Sequence, residues 1–214
     1  MQGKIRLALT KGRLEKDTVQ LLEKAGLNME TIKNPQRKLI LDIPGYPLEI
    51  ILLKGSDVAT YVEHGIADLG VVGKDILLEK PKPVYEVADL GFGACRMAVA
   101  GETSLCPDNK KLLRIASKYP RIAREHFESK GQSVEIIEQQ GSVELAPLMG
   151  LSDVIVDIVE TGNTLKANGL IVLEEILKIS ARLIVNKVSY KTRRIEVNAL
   201  IDLLEKQVKI RREE

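Results

Sequence analysis

The sequence predicts an α/β protein, and three observations carry that prediction. Short apolar runs alternate with amphipathic stretches along the chain, glycine- or threonine-bearing turns end several of those runs, and Val154 to Val159 is an apolar, β-branched run interrupted by a single acid, Asp157. In sheets of this kind ligands bind beyond the carboxyl ends of strands, so the turns that end the runs are where function is sought.

The elements follow in order. KIRLAL (Lys4 to Leu9) reads as a strand ending in TKGR, and Leu14, Thr18, Leu21, Leu22 and Ala25 repeat at helical spacing up to Gly26. Pro44 and Gly45 supply turn chemistry between RKLILDI and LEIILL, which makes Arg37 to Leu53 a hairpin. Ser56 is a candidate cap for a helix carrying Val58, Tyr61 and Val62 and ending at Gly65, ahead of the strand in ADLGVVG. VYEVADL and CRMAVA are strands on either side of GFGA, a natural passage between lobes.

RIAS, a helix opening at Pro120, and SVEIIEQ form a further strand–helix–strand unit. A short helix from about Ser142 to Met149 precedes DVIVDIV, which suits a buried parallel strand. LIVLEEILKISARLIV is compatible with a buried helix or with strands, and its Ile and Val content favours two strands. Thr192 to about Arg211 reads as one closing helix.

A length of 214 residues is enough for one large domain or two lobes, and 44% hydrophobic with 29% charged residues is the balance of a folding, non-disordered chain. The net charge of +2 is too small for nucleic-acid binding through bulk electrostatics, and with five Tyr, two Phe and no Trp a base-stacking platform is not expected. Any anion site must therefore be local, and no nucleic-acid partner is expected. Cys95 and Cys106, with His64 and His126, give no zinc spacing and read as reduced thiols. The opening residues lack the long apolar segment of an export signal, and no apolar run reaches the roughly 18 residues that span a bilayer. A cytoplasmic protein without a membrane partner is expected.

Chemistry concentrates in DVIVDIVETGNTL. Thr161, Gly162, Asn163 and Thr164 form a turn of small residues with a helix behind it, where backbone amides converge as they do in oxyanion sites. Asp157 stands a few residues upstream, placed to accept hydrogen bonds from sugar hydroxyls. The alternative is an ordinary strand-to-helix turn with Thr164 as helix cap. In TKGRL, Gly12 permits close backbone approach and Lys11 and Arg13 bring two cations suited to polyphosphate, although such residues also serve simply as solvated surface. GVVGKD lacks the spacing and the hydroxyl of a P-loop, so Lys74 is no phosphate-loop lysine. Glu144 fits the first turn of a short helix, where the dipole favours a carboxylate in any case. Arg96, just past a glycine-rich bend, is either a surface arginine or a ligand group. Neither histidine has a partner in sequence, and neither is assigned to catalysis.

Across nearly its whole length the chain resembles the short form of the ATP phosphoribosyltransferase family, whose members open histidine biosynthesis. TKGRL, ADLGVVGKD, LGFGACRMAVA, SKYPRIAREHF, GSVELAPLMGLSDVIVDIVETGNTLKANGL and LEEI carry the resemblance. It implies two α/β lobes like a type II periplasmic binding protein, with the active site in the cleft between them. The first lobe would comprise 1–90 plus 174–214, and the second 93–173. It implies a pentosyl transfer that joins N1 of ATP's adenine to phosphoribosyl pyrophosphate and releases pyrophosphate. Glu160, Thr161, Gly162, Asn163 and Thr164 would then bind the 5′-phosphate, with Asp157 and Glu144 facing the ribose. Lys11, Gly12, Arg13 and Arg96 would serve ATP or polyphosphate, and Arg13, Glu144 and Asp157 would be the catalytic set. Short members work with a histidyl-tRNA-synthetase-like regulatory subunit, so a hetero-octamer, with little activity from this chain alone, is the implied assembly.

Adenine N1 has a free lone pair, so the reaction needs no deprotonated nucleophile, and orientation with electrostatics is expected to do the catalytic work. Mg²⁺ is expected as cofactor, held through pyrophosphate and ribose oxygens with no dedicated protein metal site. Two rivals share parts of this pattern. A type I nucleobase phosphoribosyltransferase also uses an apolar strand, an acid and a threonine–glycine loop, but with two adjacent acids where this chain has Val156 before Asp157. A two-lobed ligand receptor would carry an export signal.

Overall fold

Apolar side chains at alternate positions of β1 (Ile5–Thr10) divide between two buried faces. Leu7 and Leu9 join one core cluster, with Leu69, Leu183, Leu200 and Leu204, while Ala8 joins the opposite one with Val58, Val62 and Ile184. A strand covered on both faces needs helices on both, and the chain supplies them. The structure, a computed structural model, describes residues 3–103 and 112–213, so Cys106 lies outside the described residues.

The remaining elements run α1 (Arg13–Lys24), α2 (Glu30–Lys33), β2 (Ile40–Asp42), β3 (Leu48–Leu53), α3 (Gly55–Glu63), β4 (Leu69–Gly73), α4 (Lys74–Glu79) and β5 (Tyr85–Asp89). There follow β6 (Cys95–Gly101), β7 (Leu113–Ser117), α5 (Pro120–Ser129), β8 (Val134–Glu138), α6 (Leu145–Leu148), β9 (Val154–Val159), α7 (Asn163–Ala167) and β10 (Ile171–Ile179). β11 (Ala181–Val185), α8 (Lys187–Thr192) and α9 (Arg194–Glu213) close the chain.

The chain divides into two units, Met1–Gly93 with Ser180–Glu214, and Ala94–Ile179. The first holds a six-stranded sheet in the order β2-β3-β1-β4-β11-β5, in which β3, β1 and β4 are parallel. The second holds a five-stranded sheet in the order β10-β6-β9-β7-β8. There β9 pairs parallel with β7 and antiparallel with β6, so the buried strand expected to be parallel is parallel on one side only. Ala98, Ala100, Ile155 and Val159 bury one face of this sheet against Val143 and Ala146 beside α6 and Leu165 of α7. Burial of Val143, Ile155, Val159 and Leu165 contributes about 1.5–3 kcal/mol for each side chain, and the alanine methyls contribute less.

Several expectations need correction. The anticipated return to the first lobe at residue 174 falls inside β10, whose pairing with β6 continues to Ile179 opposite Cys95; the passage is at Ser180. Ser56 does not cap α3: Lys54 occupies the N-cap, and Ser56 Oγ donates to Asp57 Oδ1 at 3.0 Å. The closing helix expected from Thr192 to about Arg211 is α9, shifted by two residues, but a short helix that was not anticipated, α8, precedes it. Asn186 caps α8 by accepting from Val188 N and Ser189 N, both at 2.9 Å. The two helices meet at Arg193, whose guanidinium donates to Lys4 O at 3.1 Å and to Asp68 Oδ2 at 2.9 Å. The helix expected over Ser142 to Met149 shrinks to α6, preceded by Ser142 at φ 50°. His126 does have a partner, with Nε2 at 3.3 Å from Glu174 Oε2.

Candidate anion-binding site

β9, the central strand of the second sheet, ends at Val159, and α7 starts at Asn163. The turn between them is made by Gly162, at φ 77° and ψ 4°, the left-handed region that glycine enters without a Cβ penalty. The first backbone bond of the helix is Lys166 N to Gly162 O at 3.0 Å, which leaves the amides of Asn163, Thr164 and Leu165 ahead of the ladder. Asn163 N–H approaches Thr161 Oγ1 at 3.4 Å. Thr164 is two residues too late to cap; the N-cap is Gly162, and no side chain caps the helix.

Around this turn lies a pocket of about 310 Å³ lined by Glu144, by residues 157–164 and by Leu165. Glu144 reaches it because Val143 and Ala146 pack on the face of β9 that carries Ile155 and Val159. It stands at the N-cap of α6, one position ahead of the helical turn expected for it, and its side chain makes no capping hydrogen bond. Its carboxylate is therefore not spent on helix termination. Asp157 is half-buried and its Oδ1 accepts from Ile158 N at 2.8 Å, which fixes the carboxylate's orientation at the pocket wall. Two carboxylates, two threonine hydroxyls and leading helix amides suit an anionic group attached to a polyhydroxylated one.

Arg96 sits one strand away, level with Val159 in the β6–β9 pairing and on the same sheet face as Asp157, which is level with Ala98. Its guanidinium stands 3.8 Å from Glu175. The structure thus gathers Glu144, Asp157, Glu160, Thr161, Gly162, Asn163 and Thr164 into one pocket, with Arg96 on the neighbouring strand. Lys11, Gly12 and Arg13 belong to the first unit, at the carboxyl end of β1. Gly12 takes φ 109° and ψ −132°, and its N–H donates to Glu15 Oε2 at 3.1 Å, half of a capping box that a glycine cannot complete.

Sequence reasoning passed over Ser142, whose left-handed backbone sets up the approach to Glu144, and the pocket-lining Ile158, Val159 and Leu165. The QGS tripeptide was the one available signal for the first. A larger cavity of about 410 Å³ opens at the other, amino ends of β1 and β4, beside Lys4, Arg6, Asp68 and Arg193. Its charges are satisfied within the fold, Arg193 on Asp68 at 2.9 Å and Arg6 on Glu49 at 2.7 Å, so it makes no comparable demand for a ligand.

Two α/β units, each built on its own sheet, define a protein of the periplasmic-binding-protein fold type. The fold likeness is measurable: the aliphatic sulphonate binding protein SsuA of Escherichia coli covers all of this chain at a TM-score of 0.63 and 10% identity, with 75% of its own length matched. The ATP phosphoribosyltransferase (HisG) family model matches residues 54–206. An ATP phosphoribosyltransferase of Alkaliphilus metalliredigens is 57% identical over 92% of this chain and 95% of its own, and one of Bacillus cereus is 51% identical over 95% and 97%. In the solved HisG:HisZ ATP phosphoribosyl transferase complex of Thermotoga maritima, a chain 38% identical superposes at a TM-score of 0.82 over 96% of this chain and 98% of its own. The chain belongs to the ATP phosphoribosyltransferase family.

Proposed function

We propose that this chain joins N1 of ATP's adenine to C1′ of phosphoribosyl pyrophosphate, releasing pyrophosphate in the first step of histidine biosynthesis. The observation that carries this reading is the single pocket that brings Glu144 and Asp157 together with the 160–164 turn. The amides and hydroxyls of Thr161, Gly162, Asn163 and Thr164, with Glu160 at the rim, take the 5′-phosphate, and Asp157 and Glu144 take the ribose hydroxyls. As the C1′–oxygen bond breaks, positive charge grows on the ribose ring and negative charge on the departing pyrophosphate. Carboxylates held beside the ring oppose the first, and Arg13, with Lys11, Gly12 and Arg96 on the polyphosphates, opposes the second. The neutral N1 lone pair attacks without losing a proton, so no general base is needed.

Among the described residues no group of three His, Cys, Asp or Glu side chains is poised to hold a metal, so Mg²⁺ would rest mainly on pyrophosphate and ribose oxygens, as this hard cation commonly does on phosphates. When bound there it would offset the leaving group's charge. No helix among the described residues is long and apolar enough to cross a membrane. The kinship with biosynthetic enzymes is what supports a cytoplasmic placement. The Thermotoga relative was solved as a HisG:HisZ complex, which supports a HisZ-type regulatory partner here; that this partner is histidyl-tRNA-synthetase-like and the assembly a hetero-octamer is what the family resemblance adds.

The deciding experiment follows formation of phosphoribosyl-ATP from ATP and phosphoribosyl pyrophosphate, with Mg²⁺, in the presence and absence of the partner subunit. Product that needs both substrates is expected, in greater amount with the partner. Pyrophosphate release with a free nucleobase, and none with ATP, would reject the reading.

A further inference from the structure

Three lysines follow the three parallel strands of the first sheet: Lys11 after β1, Lys54 after β3 and Lys74 after β4. Lys74 is neutralised, its Nζ 2.6 Å from Glu86 Oε2. Lys11 and Lys54 are both exposed and form no ion pair among the described residues. The register makes them neighbours, since Thr10 is level with Leu53 and Lys11 N–H donates to Leu53 O at 2.9 Å. Adjacent strands lie about 4.8 Å apart, so the two lysines leave neighbouring strand ends at the edge where parallel sheets receive ligands, within reach of one polyphosphate chain. The local acids are engaged elsewhere: Glu15 accepts from Gly12 N–H at 3.1 Å, and Asp57 accepts from Ser56 Oγ at 3.0 Å.

The chain uses the same device twice, with Lys–Gly joining strand to helix at Lys11–Gly12 and again at Lys54–Gly55. A Cβ at Gly55 would stand 3.2 Å from Thr10 Cγ2, so glycine lets the start of α3 close on the end of β1. Lys54 is also a poor residue for its place. It fills an N-cap without capping, where short polar side chains are preferred and where the helix dipole disfavours a cation. Two local costs without a compensating acid in the fold are expected where a ligand supplies the compensation.

We propose that Lys54 is a further polyphosphate-binding residue, acting with Lys11 on one phosphate chain of a substrate. The inference rests on the phosphoribosyl transfer proposed above. The chemistry recognised is a di- or triphosphate, and its source is either ATP or the diphosphate of phosphoribosyl pyrophosphate.

Calorimetry on the full-length chain, with ATP, phosphoribosyl pyrophosphate and inorganic pyrophosphate as separate probes, tests it. Lys54→Gln should weaken binding by about tenfold, the scale of one lost charge-assisted hydrogen bond. Loss confined to ATP assigns the triphosphate; loss with the other two assigns the diphosphate. Lys54→Arg should restore affinity, and Lys74→Gln, whose charge is already paired, should stay within about twofold of the parent. Lys54→Ala serves as a second neutral variant should Lys54→Gln fold poorly. Unchanged affinity for all three probes, or a loss that arginine does not restore, overturns the proposal. Failure of the unaltered chain to bind any of the three would bring down the transferase reading itself and this inference with it.

Discussion

Ser180 Oγ donates a hydrogen bond to Asp89 Oδ1 at 2.8 Å, linking residues 91 apart in sequence. Asp89 ends β5, shortly before the chain leaves the first unit after Gly93, and Ser180 is the residue at which it returns. Gly91 N–H donates to the same oxygen at 2.9 Å, and Arg182 Nη2 stands 3.1 Å from Oδ2. Arg212 Nη2, near the end of α9, reaches Asp89 O at 3.4 Å. One carboxylate thus ties down both chain crossings on the side of the first unit.

That arrangement predicts an acid-labile tie. Burial alone would raise the Asp89 pKa, but the Gly91 and Ser180 hydrogen bonds with Arg182 and Arg212 outweigh it and hold the carboxyl below its ordinary 3.8. A depressed folded-state pKa contributes stability that is fully present above the unfolded value and is lost as pH falls through the folded one. Asp89→Asn should therefore flatten the fall in melting temperature below about pH 4, while costing stability at neutral pH. Ser180→Ala, at a site still partly open to solvent, should cost about 0.5–1 kcal/mol at neutral pH. Parallel acid limbs for Asp89→Asn and the parent would remove the carboxylate from this role.

Gly162 is required for its backbone conformation and not for the space it leaves. A Cβ there would meet only Val159 Cγ1, at the ordinary contact distance of 3.8 Å, so nearby atoms do not exclude a side chain. The constraint is φ 77°, which β-branched residues strongly resist and asparagine tolerates. Gly162→Val should cost about 1–3 kcal/mol and abolish phosphoribosyl pyrophosphate binding by reshaping the turn. Gly162→Asn should recover most of the stability and much of the binding. Equal damage from the two substitutions, read by thermal melts and calorimetry, would mean that space and not backbone conformation is what glycine provides.

The turn was legible because its parts are contiguous: a β-branched strand, an acid within it and a run of small residues arrive in one segment of sequence. Glu144 enters the same pocket through packing of Val143 and Ala146 on β9, a long-range contact that local pattern does not encode. The strand pair Ile171–Ile179 and Ala181–Val185 was readable from β-branching, but their assignment to different sheets was not, since Ser180 looks like any polar break. The short helix α8 went unread ahead of the closing helix, because the Arg193 junction between them is held by Asp68, a partner 125 residues away, and periodicity cannot report that. Lys54 was invisible because one exposed lysine forms no pattern until the register sets it beside Lys11.

Asp157 and Glu144 share a pocket but should not be equivalent. Asp157→Asn keeps an oxygen to accept the Ile158 amide, so folding should be unaffected, with a melting temperature within about 2 °C of the parent. Loss of the carboxylate's charge beside a cationic ribose should lower kcat by about a hundredfold, roughly 2.7 kcal/mol of transition-state stabilisation, with a smaller change in KM. Glu144→Gln should fall in the same direction by about tenfold, since it lies at the pocket rim on a short helix. Steady-state kinetics with the partner subunit present decide this, and an Asp157→Asn enzyme at parental kcat would take that carboxylate out of the chemistry.

Arg13 opens α1 directly after Gly12, whose φ of 109° is open to glycine and strained for other residues, so the two residues make separable predictions. A cation at the first position of a helix faces the positive end of the dipole, and removing it costs the helix little. Arg13→Ala should then leave the melting temperature within about 2 °C while lowering kcat/KM for phosphoribosyl pyrophosphate by about a hundredfold, since a guanidinium opposite departing pyrophosphate acts mainly in the transition state. Gly12→Ala should do both, costing about 1–3 kcal/mol in strain and displacing Arg13 with the start of the helix. Paired melts and kinetics on the two variants separate the effects: an Arg13→Ala protein that melts early yet turns over normally would make the arginine a structural residue and leave pyrophosphate to be met by other cations.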